Sequence, residues 1–235
     1  PVGSDDTHFH RFDLMTTRLG DDNRLGVTGL PNGEAQLGDE FYPDPASASR
    51  TSSGTVVFVG FGIAASVLGH DDYQTADLAG KVALILNHEP GEFDRDSAFD
   101  GVVRSEEARS VRKILAAQEQ GATAVLLAPD AHNHAGRRGL TRSMSSVWPD
   151  RPTRVARYQL AGWLEAVRIP VVQISADLAE RIAEAAGRSF EDLATTAEQP
   201  GGIDAVELTG PRVEVTTSVT RRTVPNRNVV GLVEG

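Results

Sequence analysis

Thr55-Val56-Val57-Phe58-Val59, closed by Gly60, is apolar or β-branched at every position. A run this short and this uniform suits a strand covered on both faces, because a half-exposed strand would alternate with polar residues. Three further runs share the texture: Val82-Ala83-Leu84-Ile85-Leu86, Ala124-Val125-Leu126-Leu127-Ala128 and Val171-Val172-Gln173-Ile174. Each is bounded by Gly, Pro or Asp, so the four predict one buried sheet. Between the second and third runs, Ala108, Val111, Leu115 and Gln118 fall at helical spacing with Ile114 beside them, and Gly121 stands where a left-handed cap is wanted. After the fourth, Ser175 is placed to cap a helix whose Leu178, Ile182 and Ala185 share a face and which Gly187 ends. Helices of this kind need a surface to cover, and the strand-helix-strand order makes a largely parallel sheet the natural one, so the fold class is α/β.

The flanks read differently. Residues 1–53 are rich in Gly, Asp, Asn, Pro and Ser and predict an extended arm with loops, in which Phe9 to Leu19 could pair as an edge strand. Near the other end, apolar and polar residues alternate from Arg212 to Val219. That period is what a half-exposed antiparallel strand requires, and it implies a second, more solvent-facing sheet.

At 235 residues and 40% hydrophobic composition the chain is long enough to bury a real core. Its net charge of -10 opposes binding to nucleic acid or anionic lipid. The absence of cysteine removes disulfides, thiolate metal sites and thiol nucleophiles. No apolar run approaches the roughly 20 residues of a membrane span. The start at Pro1 without Met and the stop at Gly235 read as the bounds of a segment from a longer chain.

Several motifs invite chemistry. Gly60-Phe61-Gly62-Ile63-Ala64-Ala65 matches a dinucleotide fingerprint, but Gly69, His70, Asp71 and Asp72 follow too soon for the helix that such a site needs, which favours glycines at a strand exit. His70, Asp72, Glu106, Glu107, Asp130 and His134 stand in the ligand order of a two-zinc peptidase. Order alone does not make ligands converge, and Glu106 and Glu107 suit the start of a helix, where carboxylates complement the dipole. Asp71 and Asp72 fit a turn closed through side-chain bonds; calcium is the alternative, and a calcium loop needs more oxygen donors nearby. No Gly-x-Ser-x-Gly elbow or His-Glu-x-x-His is present. From Arg137 to Arg168, seven arginines face only Asp150 and Glu165, and both tryptophans, Trp148 and Trp163, lie in the segment. Its two readings are a solvated loop held down by its tryptophans and a contact surface for a partner or an acidic ligand.

As an ordered set these residues resemble a known family. Gly54 to Ile63, then Asp71-Asp72-Tyr73, then Asp77 to Leu86, with Lys113 to Asp130, Ile169 to Ser175 and Asn228 to Gly231 in sequence, are similar to the protease-associated (PA) domain of bacterial zinc aminopeptidases and glutamate-carboxypeptidase-like enzymes. The resemblance implies a swivelling β/β/α layered fold, a largely parallel central sheet with helices plus an antiparallel sheet. It divides the chain into a lead-in from the peptidase domain over 1–53, the PA domain over 54–227 and a returning strand over 228–235. It implies a secreted or periplasmic parent whose zinc ligands lie outside this chain, with no cofactor and no catalytic residue here. The implied partners are the neighbouring peptidase domain and a peptide substrate. Contact with these is expected from Arg137, Arg138, Arg142 and Trp148, the cations attracting carboxylates. The alternatives are a free-standing peptide- or protein-binding module, and a self-sufficient metallohydrolase built on the His70 to His134 set.

Overall fold

The computed structural model describes residues 7–30, 33–134, 140–151 and 157–232. In chain order its first half runs β1 (Phe9–Leu19), β2 (Arg24–Thr28), β3 (Phe41–Pro43), β4 (Arg50–Phe58), the short pair β5 (Ala64–Ala65) and β6 (His70–Asp71), β7 (Val82–Leu86) and α1 (Ser110–Glu119). The second half runs β8 (Ala124–Ala128), α2 (Thr141–Val147), β9 (Gln159–Leu160), α3 (Ala161–Ala166), β10 (Val171–Ile174), α4 (Ala176–Ala185), α5 (Phe190–Ala197), β11 (Val206–Thr217) and β12 (Val219–Val229).

The four apolar runs fall in β4, β7, β8 and β10, which lie side by side and parallel in that order. Antiparallel strands flank them: β11 and then β2 beyond β4, and β3 beyond β10, giving seven strands in all. Pleating sends alternate residues to opposite faces. Val56, Phe58, Leu84, Leu86, Leu126 and Ile174 meet Leu178 and Ile182 of α4 and Phe190 and Ala194 of α5 on one face. Val57, Ala83, Ile85, Val125, Leu127 and Val171 meet Ile114 of α1, Leu164 of α3 and Met15 of β1 on the other. The two-sided cover explains why these strands show no alternation: Leu84, Ile85, Leu126 and Leu127 are all fully buried. Each such side chain contributes roughly 1.5–3 kcal/mol relative to exposure.

Both helices read from the sequence form, with altered faces. The Ser175 hydroxyl caps α4 by accepting from Leu178 N at 3.1 Å, and Gly187 past its end adopts φ 70°. Leu178 and Ile182 are buried with Ala179 and Ala183, whereas Ala185 is exposed. In α1 the buried residues are Lys113, Ile114 and Ala117; of the stripe expected there, Ala108 lies before the helix and Val111, Leu115 and Gln118 are only half-buried. Gln118 instead bridges to the end of α3 and the residues after it, donating to Ala166 O at 3.1 Å and accepting from Arg168 N at 2.7 Å.

The alternating stretch from Arg212 is a half-exposed antiparallel strand, as expected, but it does not lie in a second sheet. It belongs to β11 and sits inside the seven-stranded sheet, where Val213 and Val215 face the core. A second antiparallel sheet does exist, ordered β12-β1-β9. Its middle strand is Phe9–Leu19, paired residue for residue with β12 from Phe9 opposite Val229 to Leu19 opposite Val219. Residues 7–30 and 33–53 therefore contribute to both sheets through β1, β2 and β3.

Candidate functional site

Parallel strands of an open α/β sheet present their carboxyl ends, and the loops that follow them, to one rim where ligands are commonly held. Here the register pairs Leu86 with Ala128, so the loops after β7 and β8 leave the sheet side by side. They border a crevice of about 100 Å³ whose walls include Tyr42, Asn87, His88, Asp130, His134 and Gln173. Asn87 Nδ2 donates to Gln173 Oε1 at 3.1 Å and closes the floor between β7 and β10.

His88 occupies the left-handed region at φ 71°, where a residue with a Cβ is uncommon. Its backbone is held there by Lys113, whose ammonium donates to the carbonyl of His88 and, at 2.9 Å, to that of Leu86. Lys113 is itself buried, 5.4 Å from the Phe61 ring centre. Burial drives its pKa down to about 7, against the pull of Asp72, Glu89 and Asp130. The His88 ring turns toward Glu92, four residues on, with Nδ1 2.8 Å from Oε2.

His134 arrives from the other loop. Asp130 winds that loop, accepting from His132 N at 3.0 Å, Asn133 N at 3.3 Å and Asn133 Nδ2 at 2.8 Å. His134 Nε2 then lies 2.7 Å from the same Glu92 Oε2. The two imidazoles meet edge to face at 4.5 Å, and Phe93 packs against His134 at 5.7 Å. Arg104 Nη2 approaches His88 Nε2 at 2.8 Å. A guanidinium can only donate, so His88 Nε2 accepts and Nδ1 carries the proton that reaches Glu92. Burial lowers the His88 pKa and outweighs the attraction of Glu92. At Glu92 burial opposes the charge, yet the hydrogen bonds and charge of His134 and His88 prevail and hold the carboxyl below its usual range. The resulting state is a neutral His88 beside an ionised Glu92.

Two imidazole nitrogens and one carboxylate oxygen thus lie within 4.8 Å of one another. Nitrogen and oxygen donors in this ratio suit zinc and its neighbours in the first transition row. Of the residues read in two-zinc order, only His134 enters this group. His70 and Asp72 are a buried pair at 3.0 Å, and Asp72 Oδ2 also accepts from Ile63 N at 3.0 Å. Glu106 and Glu107 pair with Arg109 and Arg112. Asp71 closes its turn by accepting from Tyr73 N at 2.9 Å. Gly60 and Gly62 take φ of 54° and 65° and lead into β5 rather than a helix, as a strand exit requires.

Two of the four contact residues expected in the arginine-rich segment have a described position. Arg137 and Arg138 lie outside the described residues. Arg142 is exposed on α2, whereas Trp148 is buried against Tyr42, Leu140 and Val219, and its indole donates to Pro43 O at 2.8 Å. Trp148 therefore pins the segment to β3, and Trp163 remains exposed with Arg109 stacked 5.7 Å from its ring. His88 and Glu92 were not singled out from the sequence. Their signal is a His-x-x-x-Glu spacing in a loop, and it gains meaning only once β7 and β8 are neighbours.

No family model matches the sequence, and no curated protein matches it. Among solved structures, the chain is similar to an aminopeptidase from Aneurinibacillus sp. strain AM-1, at 14% identity over 93% of this chain and 36% of that one, with a TM-score of 0.48. It is also similar to BSAP, a zinc aminopeptidase from Bacillus subtilis, at 13% identity, covering 92% of this chain and 36% of that one with a TM-score of 0.35. A third likeness is the psychrophilic subtilisin-like protease Apa1 from the Antarctic psychrotroph Pseudoalteromonas sp. AS-11, at 11% identity, 88% and 33% coverage and a TM-score of 0.29. The chain spans about a third of the length of each. All three TM-scores lie below 0.5, where a likeness does not assign a function.

Proposed function

We propose that this chain is the PA module of a larger secreted zinc exopeptidase, without a reaction centre of its own, and that its loops narrow access to the peptidase site and help select peptide substrates. The observation that carries the reading is the sheet: the four runs on which the resemblance rests are consecutive parallel neighbours, β4-β7-β8-β10, in chain order. The paired β1 and β12 lie along a separate antiparallel sheet, in keeping with the swivelling β/β/α arrangement and with a module held through two adjacent strands. In this reading 1–53 leads in from the peptidase domain, 54–227 is the module and 228–235 returns, with the lead-in woven into both sheets. No helix among the described residues is long and apolar enough to cross a membrane.

Arg142, with Arg137 and Arg138, supplies cations for substrate carboxylates or for an acidic face of the peptidase domain, and Trp148 anchors the segment that bears them. Full-length protein and a version lacking Gly136 to Tyr158 are to be compared on a panel of aminoacyl and acidic dipeptide substrates. The deletion is expected to change the ratio of kcat/KM between substrates by about tenfold, the scale of a lost charge-assisted contact. Unaltered ratios with an unaltered melting temperature refute the access role. Chelator-sensitive peptide cleavage by the 235-residue chain alone would refute the whole reading.

A further inference from the structure

We infer that His88, Glu92 and His134 form a binding site for one divalent transition metal of the zinc type. The ligand atoms converge from two loops and are held before any ion arrives. His88 is positioned through its backbone by Lys113, and His134 by the loop that Asp130 winds. The three side chains are 14%, 10% and 16% exposed, so most of their water has already been removed. Calcium and magnesium want shells of oxygen, whereas two imidazoles and a carboxylate with one position left for water form a familiar zinc set.

The distances ask for a small adjustment. Metal-ligand bonds of 2.0–2.1 Å in a tetrahedron put neighbouring ligand atoms about 3.3 Å apart. The Glu92 oxygen now lies 2.8 Å from His88 Nδ1 and 2.7 Å from His134 Nε2, so the set must open by roughly half an ångström as hydrogen bonds give way to coordination. Both imidazoles line the crevice, so the remaining coordination position adjoins it.

Arg104 sets the terms of occupancy. With metal on Nδ1, the His88 proton moves to Nε2, which then faces the donor-only guanidinium now 2.8 Å away. Ligating histidines ordinarily give that second proton to an acceptor. Arg104 must therefore leave when metal binds, and its side chain, 59% exposed, is free to do so. It is the counter-cation of the metal-free state and competes with the ion.

The test is calorimetric titration of the metal-free protein with zinc chloride, with bound zinc counted after dialysis. One zinc per chain is expected. Glu92→Gln and His134→Asn should each weaken it at least about tenfold, while Arg104→Gln, which offers an acceptor to Nε2, should tighten it several-fold. Circular dichroism establishes that each variant is folded; should Glu92→Gln fail to fold, His134→Asn on its surface loop and Arg104→Gln decide alone. Absence of zinc binding overturns the site, as does binding that His134→Asn leaves unchanged, which would place the ion on surface histidines such as His8 or His10. Weaker binding in Arg104→Gln overturns the competing role of the arginine.

Discussion

At the sheet rim a buried lysine holds the backbone that carries His88. Lys113 is buried beneath the loop after β7 and ties two carbonyls of that loop to α1. Its pKa is lowered from 10.5 to about 7, chiefly by burial, so the folded protein binds fewer protons than the unfolded chain between those values. Stability therefore rises with pH across that window, by at most about 1.4 kcal/mol per unit for one proton; below about 7 the cost of the buried charge is present in full. Tyr42, pushed up to about 12 by burial and by Asp44, keeps its proton when folded and reverses the trend above pH 10. Urea midpoints at pH 7, 8 and 9 should climb in the wild type, and Lys113→Met should flatten the climb; equal slopes would refute the assignment. None of this was legible beforehand. In the sequence Lys113 is one more polar residue on a helix, and only the packing that brings the carbonyls of Leu86 and His88 and the Phe61 ring over it gives it a buried role.

Whole elements were more legible than their faces. The strands β4, β7, β8 and β10 announce themselves because two-sided burial erases polar alternation, and Ser175 with Gly187 brackets α4 through chemistry local to the chain. Ser175→Ala should cost about 1 kcal/mol, the usual worth of such a cap, and equilibrium denaturation would detect it. A loss below about 0.3 kcal/mol would show that packing of Leu178 and Ile182 alone holds the first turn. The α1 stripe misled because Val111 and Leu115 lie at the margin of the interface and Gln118 spends its amide on Ala166 and Arg168. By contrast β11 alternates as a half-exposed antiparallel strand should, but with β2 and β4 on its edges it lies in the main sheet rather than in a second one. Periodicity reports which residues are covered and leaves open by what. The candidate site shows the same limit: His88 and Glu92 are close in sequence, but His134 joins them only through the register of β7 and β8.

Across the molecule, Arg221 ties the second sheet to α3 and to the loop between β3 and β4. From β12 its guanidinium donates to Leu164 O at 2.6 Å and to Ala46 O and Ser47 O at 2.8 Å each. Hydrogen bonds from a charged group contribute roughly 1.5–3 kcal/mol, so Arg221→Met should destabilise the protein by about 2 kcal/mol. Hydrogen exchange should quicken along β1 and β12 while β7 and β8 stay protected; a uniform change across both sheets would refute this local fastening. Nothing in Thr220-Arg221-Arg222-Thr223 distinguishes the clasp from its exposed neighbour, since both are arginines on a polar strand. The β1–β12 pairing also has a mechanical side. Its rungs run from Phe9 opposite Val229 inward to Leu19 opposite Val219, so tension applied through the outer ends reaches them one at a time, as in a zipper. Such a pair peels gradually under load, each rung parting before the next is strained, and spares the parallel strands behind it.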